Sequence, residues 1–185
     1  MVLTKFALSA SRGTRLFSKL NSGARLSLTT GILLVGLGLG GQPAYGQVLT
    51  AERQQEIAET VGQLFNEIPQ VTNALDFDRL LGYYQDSEEL TYVVGGRVTR
   101  TYEAFANVID AQFSGVVQAN LQWLDTHLDV LSREVVVATA TYEFTTTLAS
   151  GGIGQSAGTY TCIYVLRDSR WQIRYSAHTF PLSQG

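Results

Sequence analysis

His127 and His178 are the only two histidines of the chain, and so the only side chains whose ordinary pKa lies near neutrality. His178 sits in "RWQIRYSAHTF", residues 170–180, where Trp171, Ile173 and Tyr175 alternate with Gln172, Arg174 and Ser176. That alternation reads as a strand. An imidazole at its end can serve as a hydrogen-bond donor, a general acid or a general base. Strand parity groups His178 with Arg174 and Ser176. If that face lines a cavity, Arg174 becomes an anion-recognising partner; if it points outward, His178 is an ordinary strand residue. A bulge at Ser176–Ala177 would reverse the assignment.

The second histidine belongs to "DTHLD". Asp125, His127 and Asp129 fall on one face of a strand, successive members about 7 Å apart. Two of them can share a metal with an outside ligand, but three in line do not converge. Competing readings are a solvated rim and a polar patch inside a pocket. Leu124, Leu128 and Val130 occupy the opposite face, whereas Leu121 and Trp123 share the Asp/His face, a conflict that a bulge would resolve. Hydroxyl donors are plentiful, at Tyr83, Tyr84, Tyr92, Tyr142, Tyr160, Tyr164 and Tyr175. Cys162 is alone in the chain, so no intramolecular disulfide forms, and it reads as packing within an apolar strand. "ASGGIGQSAG" precedes a strand and contains no Lys, so it reads as a flexible hairpin turn rather than a phosphate loop.

The elements that must position these residues follow from periodicity. Residues 1–46 carry Lys5, Arg12, Arg15, Lys19 and Arg25, then the apolar "LSLTTGILLVGLGLGG", then small residues at Ala44 and Gly46. This is the build of an export signal, with cleavage expected after Gly46 and delivery to a periplasm, a lumen or the exterior. An uncleaved anchor and an organelle transit peptide are the alternatives. The chain's 13 Lys+Arg and 16 Asp+Glu then divide unevenly: residues 47–185 keep eight Arg, no Lys and all 16 acids, a net charge near −8. Such a surface excludes nucleic acid and anionic membranes as partners.

One domain is expected over 47–185. Thr50 caps a helix through "AERQQEIAETVGQLFNEI", with Ile57, Val61, Leu64, Phe65 and Ile68 as its stripe and Pro69 as its stop. "DFDRLLGYY" forms a second helix, "ELTYVVGGRVTRT" a hairpin about Gly95–Gly96, and "YEAFANVIDAQFSGV" a third helix capped by Thr101. Four β-rich runs follow from residue 119, with short connections that imply antiparallel neighbours. The order argues for α+β, with helices on one face of a curved antiparallel sheet. In "EVVVATATYEF", Val136, Ala138, Ala140, Tyr142 and Phe144 share a face, and neither face is strongly polar in the first half. The strand is therefore expected to be covered on both sides, by the helices and by a second copy of the chain.

Together, the early amphipathic helix, "DFDRLLGYYQDSEELTYVVGGRVTRTYEAFAN", "EVVVATATYEF" and "GTYTCIYVLRDSRWQIRYSAHTF" resemble the nuclear transport factor 2-like superfamily, within it the SnoaL-like group related to ketosteroid isomerase. The resemblance covers roughly residues 50–181. It implies a cone-shaped α+β barrel open at one end, a pocket between helices and concave sheet, and dimers through the outer sheet face. The isomerases of that group need a carboxylate base and a donor pair for an enolate oxygen. No Asp or Glu lies on the Tyr142 face of the central strand, and Asp86 or Asp125 would have to supply one. The leading expectation is an exported domain that binds a small, largely apolar ligand, with no cofactor or metal. Its pocket is expected to include Tyr84, Tyr92, His127, Tyr142 and Arg174. The alternatives are an isomerase, cyclase or dehydratase using His178 with a pocket Tyr and Asp125, and a non-catalytic dimerisation domain.

Overall fold

The computed structural model describes residues 49–180. The expected export signal over 1–46 and its cleavage point lie outside the described residues. Three helices, α1 (Ala51–Asn73), α2 (Phe77–Gly82) and α3 (Tyr102–Phe113), pack on one face of six strands. These are β1 (Thr91–Val94), β2 (Arg97–Arg100), β3 (Val116–Ser132), β4 (Val135–Leu148), β5 (Ile153–Arg167) and β6 (Arg170–Thr179). The sheet order is β2-β1-β6-β5-β4-β3. It is the expected α+β cone with one refinement: β1 joins β6 in parallel, so the sheet is mixed rather than wholly antiparallel. Among the described residues, no helix is long and apolar enough to cross a membrane.

Local signals explain most boundaries. The Thr50 hydroxyl accepts from Arg53 N, Asp76 from Arg79 N, and Thr101 from Ala104 N, each satisfying a first-turn donor. Gly95 and Gly96 both take positive φ, 55° and 77°, as a two-residue hairpin between β1 and β2 requires. Pro69, however, does not stop α1; the helix runs on to Asn73. Proline supplies no N–H to the carbonyl four residues back, here Phe65. The indole Nε1–H of Trp123 donates to that carbonyl at 3.1 Å, and so repairs the gap from the neighbouring strand. The last helical residue reaches the same strand: the Asn73 amide donates to Leu121 O at 3.0 Å and accepts from Leu121 N at 2.5 Å, partnering the backbone of edge strand β3.

The glycine-rich segment is not wholly a turn. Ile153–Gly158 belong to β5 and pair with Phe144, Thr145, Thr146, Thr147 and their neighbours, leaving the turn to residues 149–152. At Gly158 a Cβ would lie 2.0 Å from Thr179 O, so glycine lets the end of β6 close onto β5.

Two bulges set which side chains face the helices. On β3, Trp123 pairs with Tyr142 and Asp125 with Thr141, so Leu124 is an extra residue. Leu121 and Trp123 before it, and Leu128 and Val130 after it, therefore share the helix side with Tyr142, Ala138 and Val136. On β6, Tyr175 pairs with Ile163 and Ile173 with Tyr164, so Arg174 is the extra residue. The bulge reverses the parity of the strand's end, two residues earlier than Ser176–Ala177, and Trp171, Ile173, Ser176 and His178 come to one side. The core beneath holds Val61, Phe65, Phe105, Val136, Ile173 and the ring of Tyr164.

The candidate pocket around His178

The concave side of the sheet and the three helices line a half-open cavity of about 360 Å³. Ile68 and Thr72 enter from α1, Ile109, Gln112 and Phe113 from α3, and Leu80 and Tyr84 from α2 and the segment after it. The sheet contributes Tyr92 and Val94, Leu121 and Trp123, Tyr142, Phe144 and Thr146, Tyr160, and His178 with Phe180. Tyr84 is brought there by a short parallel bridge to β6, in which Gln85 N donates to Ile173 O and Ile173 N to Tyr83 O, both at 2.8 Å.

Aromatic packing gives the wall its form. Phe65, Trp123 and Tyr160 are nearly parallel, with Trp123 5.2 Å from Phe65 and 5.6 Å from Tyr160. The His178 ring lies 4.7 Å from Tyr160 and 5.7 Å from each of Tyr92 and Tyr142, edge-on to the latter two. Edge-to-face contact sets positive ring edges against negative faces, so the imidazole is held by geometry as well as by area.

The site is neutral. Among the described residues, no Asp, Glu, Lys or Arg lines the cavity. Burial lowers His178 to about 4, because the imidazolium loses water and gains no countercharge. Burial likewise raises the phenols of Tyr84, Tyr142 and Tyr160, and pushes Tyr92 up to about 12. The Tyr84 and Tyr160 hydroxyls hydrogen-bond each other at 2.9 Å, which uses one of their two protons. At neutral pH the cavity therefore offers a neutral imidazole, protonated phenols and the uncharged Gln112, Gln155, Ser156 and Thr146.

The structure brings together His178, Tyr84, Tyr92 and Tyr142 of the residues singled out in the sequence. It places three others elsewhere, which corrects those readings. After the Leu124 bulge, Asp125 and His127 face outward: His127 pairs with Asp129 at 3.1 Å, and its side chain is 72% exposed. Asp125 is exposed on the same outer side. Arg174, extruded by its own bulge, pairs with Glu89 at 2.9 Å instead of meeting a ligand beside His178. Among the described residues, no three His, Cys, Asp or Glu side chains gather as metal ligands. Asp86 does not line the cavity either. Trp123 and Tyr160 were not expected as pocket residues. The alternation Tyr160-Cys162-Tyr164, all three buried, was the signal for the second; only the bulge reveals the first.

Comparisons with solved structures agree on the fold. A putative scytalone dehydratase from Novosphingobium aromaticivorans aligns with a TM-score of 0.64 at 8% identity, over 72% of this chain and 89% of that one. A hexachlorocyclohexane dehydrochlorinase (LinA type 3) from Novosphingobium barchaimii gives 0.60 at 15% identity, over 72% and 92%. A nuclear transport factor 2-like superfamily protein from Salmonella enterica gives 0.57 at 17% identity, over 74% and 96%. No curated protein matches. The family model described as "SnoaL-like domain" matches residues 61–183. This match establishes that the chain belongs to the SnoaL-like domain family, on the nuclear transport factor 2-like fold.

Proposed function

We propose that the cone binds a small, largely apolar molecule. One observation carries this reading: a cavity of about 360 Å³ with largely apolar, aromatic-rich walls and uncharged polar groups set among them, the build of a small-molecule site. The test uses neutral bicyclic compounds such as 2-tetralone and follows ligand-induced thermal stabilisation. Thr146→Trp, at a half-buried position of the lining, should fill part of the cavity and weaken binding at least 100-fold while leaving the unliganded melting temperature within a few degrees. Equal stabilisation of both proteins would place binding outside the cone and overturn the reading.

A second reading is an isomerase, cyclase or dehydratase in which His178 moves a proton beside Tyr160. The contact of the two rings favours it. The His178 pKa weighs against it: a base near 4 has little driving force at neutral pH, and among the described residues no carboxylate lines the cavity to raise it. Among the described residues, the only histidine–carboxylate contact is His127–Asp129, on the outside. His178→Gln separates the readings, since loss of turnover with retained binding would favour the enzyme.

The same reading includes export and pairing of two copies. The outer sheet face, with Val137, Thr139, Thr161, Ile163 and Tyr175 half-buried and uncovered, supports pairing. Light scattering of residues 47–185 tests it, and a mature N-terminus at Gln47 tests export; a clean monomer or an intact leader would count against each.

A further inference from the structure

We infer that the cone selects against charge: its ligand is an uncharged, ring-bearing molecule, and ionised analogues of the same shape are excluded. The inference rests on reading the cavity as a ligand site and adds the chemical class of what enters it.

Three features carry it. Among the described residues the lining holds no ionised side chain, so an entering ion loses water and meets no countercharge. For a carboxylate, the remaining partners are the Tyr hydroxyls, His178 and a few uncharged polar groups. The Tyr84–Tyr160 pair has only one proton left to donate, because the other closes the 2.9 Å bond between them. The Tyr92 and Tyr142 hydroxyls and the Gln112 and Gln155 amides can still donate, but neutral donors do not replace the countercharge that a buried carboxylate needs. Protonating His178 would supply a countercharge, but at pH 7 only about one molecule in a thousand carries that proton when the pKa is about 4. For an ammonium, attraction would come from open ring faces. Here the ring of Trp123 stacks with Phe65 and Tyr160, and Tyr160 also meets His178. Those two rings spend faces on one another; Tyr92, Tyr142, Phe113, Phe144 and Phe180 also line the cavity, so the exclusion of an ammonium rests on the missing countercharge. Flat, stacked walls instead suit a ring inserted against their edges.

The test keeps shape constant and changes only charge. The full chain carrying Trp171→Phe leaves Trp123 as its one tryptophan, and Trp123 lines the cavity. Its emission is titrated at pH 7 with tetralin, 2-tetralone, the carboxylate of tetralin-2-carboxylic acid and the ammonium of 2-aminotetralin. The two neutral compounds should bind, with both ions at least 100-fold weaker. The carboxylic acid should gain affinity as pH falls toward 4, because its own carboxyl takes up a proton and the ligand becomes neutral, and that gain should persist in His178→Gln. A carboxylate or ammonium bound within tenfold of the ketone at pH 7 would overturn the charge filter and leave the pocket reading standing. If none of the four perturbs Trp123, both fall.

Discussion

Phe65→Ala should destabilise the domain by about 3–5 kcal/mol, the range for removing a fully buried phenyl group. Phe65 is 0% exposed and stacks on Trp123 and Tyr160. Its loss would open a void behind the two rings that form the pocket wall, where close-packed neighbours relax only in part. The backbone carbonyl of residue 65, which accepts from the Trp123 indole in place of the donor that Pro69 lacks, is kept in the variant, so the loss reports the phenyl group. Native domains are stable by only about 5–15 kcal/mol, so this one change would remove a large share. Urea unfolding should show a lower midpoint with an unchanged slope. A loss under about 1.5 kcal/mol would mean that the stacked wall is not part of the core.

The second large effect is a dependence of stability on pH. His178 titrates near 4 in the folded chain, against an ordinary 6.5. Its folded pKa is lowered, so the unfolded chain takes up the proton first as the solution is acidified. Above pH 6.5 the group contributes no slope. Between 6.5 and 4 each pH unit costs about 1.4 kcal/mol, about 3 kcal/mol in all, and below 4 the slope from this group ends. The Glu67 carboxyl is also shifted, held below its ordinary 4.5 by the Tyr83 hydroxyl, with Arg79 assisting. Its stability is lost only as pH falls below 4.5, so the upper part of the window belongs to His178. Unfolding measured from pH 7 to 4 should show the slope, and His178→Gln should flatten it between 6.5 and 4.5. An unchanged slope in the variant would place the imidazole in water.

The fold was legible because its signals are local and redundant. Caps at Thr50 and Thr101, the helical stripe of α1, the Gly95–Gly96 turn and the strict alternation of β4 each point to one architecture. The site was legible only in part, for a reason of counting. Strand parity has a period of two, and one extra residue inverts every side chain beyond it. Leu124 inverts Asp125 and His127, while Arg174 inverts the end of β6. The first bulge carried a visible symptom, since Trp123 and Leu121 disagreed with the residues after them. The second carried none, because Arg174, Tyr175 and Ser176 read equally well in either parity. Pro69 misled in a different way. Whether proline ends a helix depends on what satisfies the carbonyl it leaves open, and Trp123 lies 58 residues from Phe65 in sequence.

The central claim is that the cone holds a small neutral ligand against Trp123 and Tyr160. Its most direct test is to locate 2-tetralone on the protein by nuclear Overhauser effects between ligand and side-chain protons. Contacts from the ligand ring to Trp123, Tyr142, Tyr160 and His178, abolished by Thr146→Trp, are the predicted result. Contacts confined to Trp171, or to Tyr175 on the outer sheet face, would contradict it.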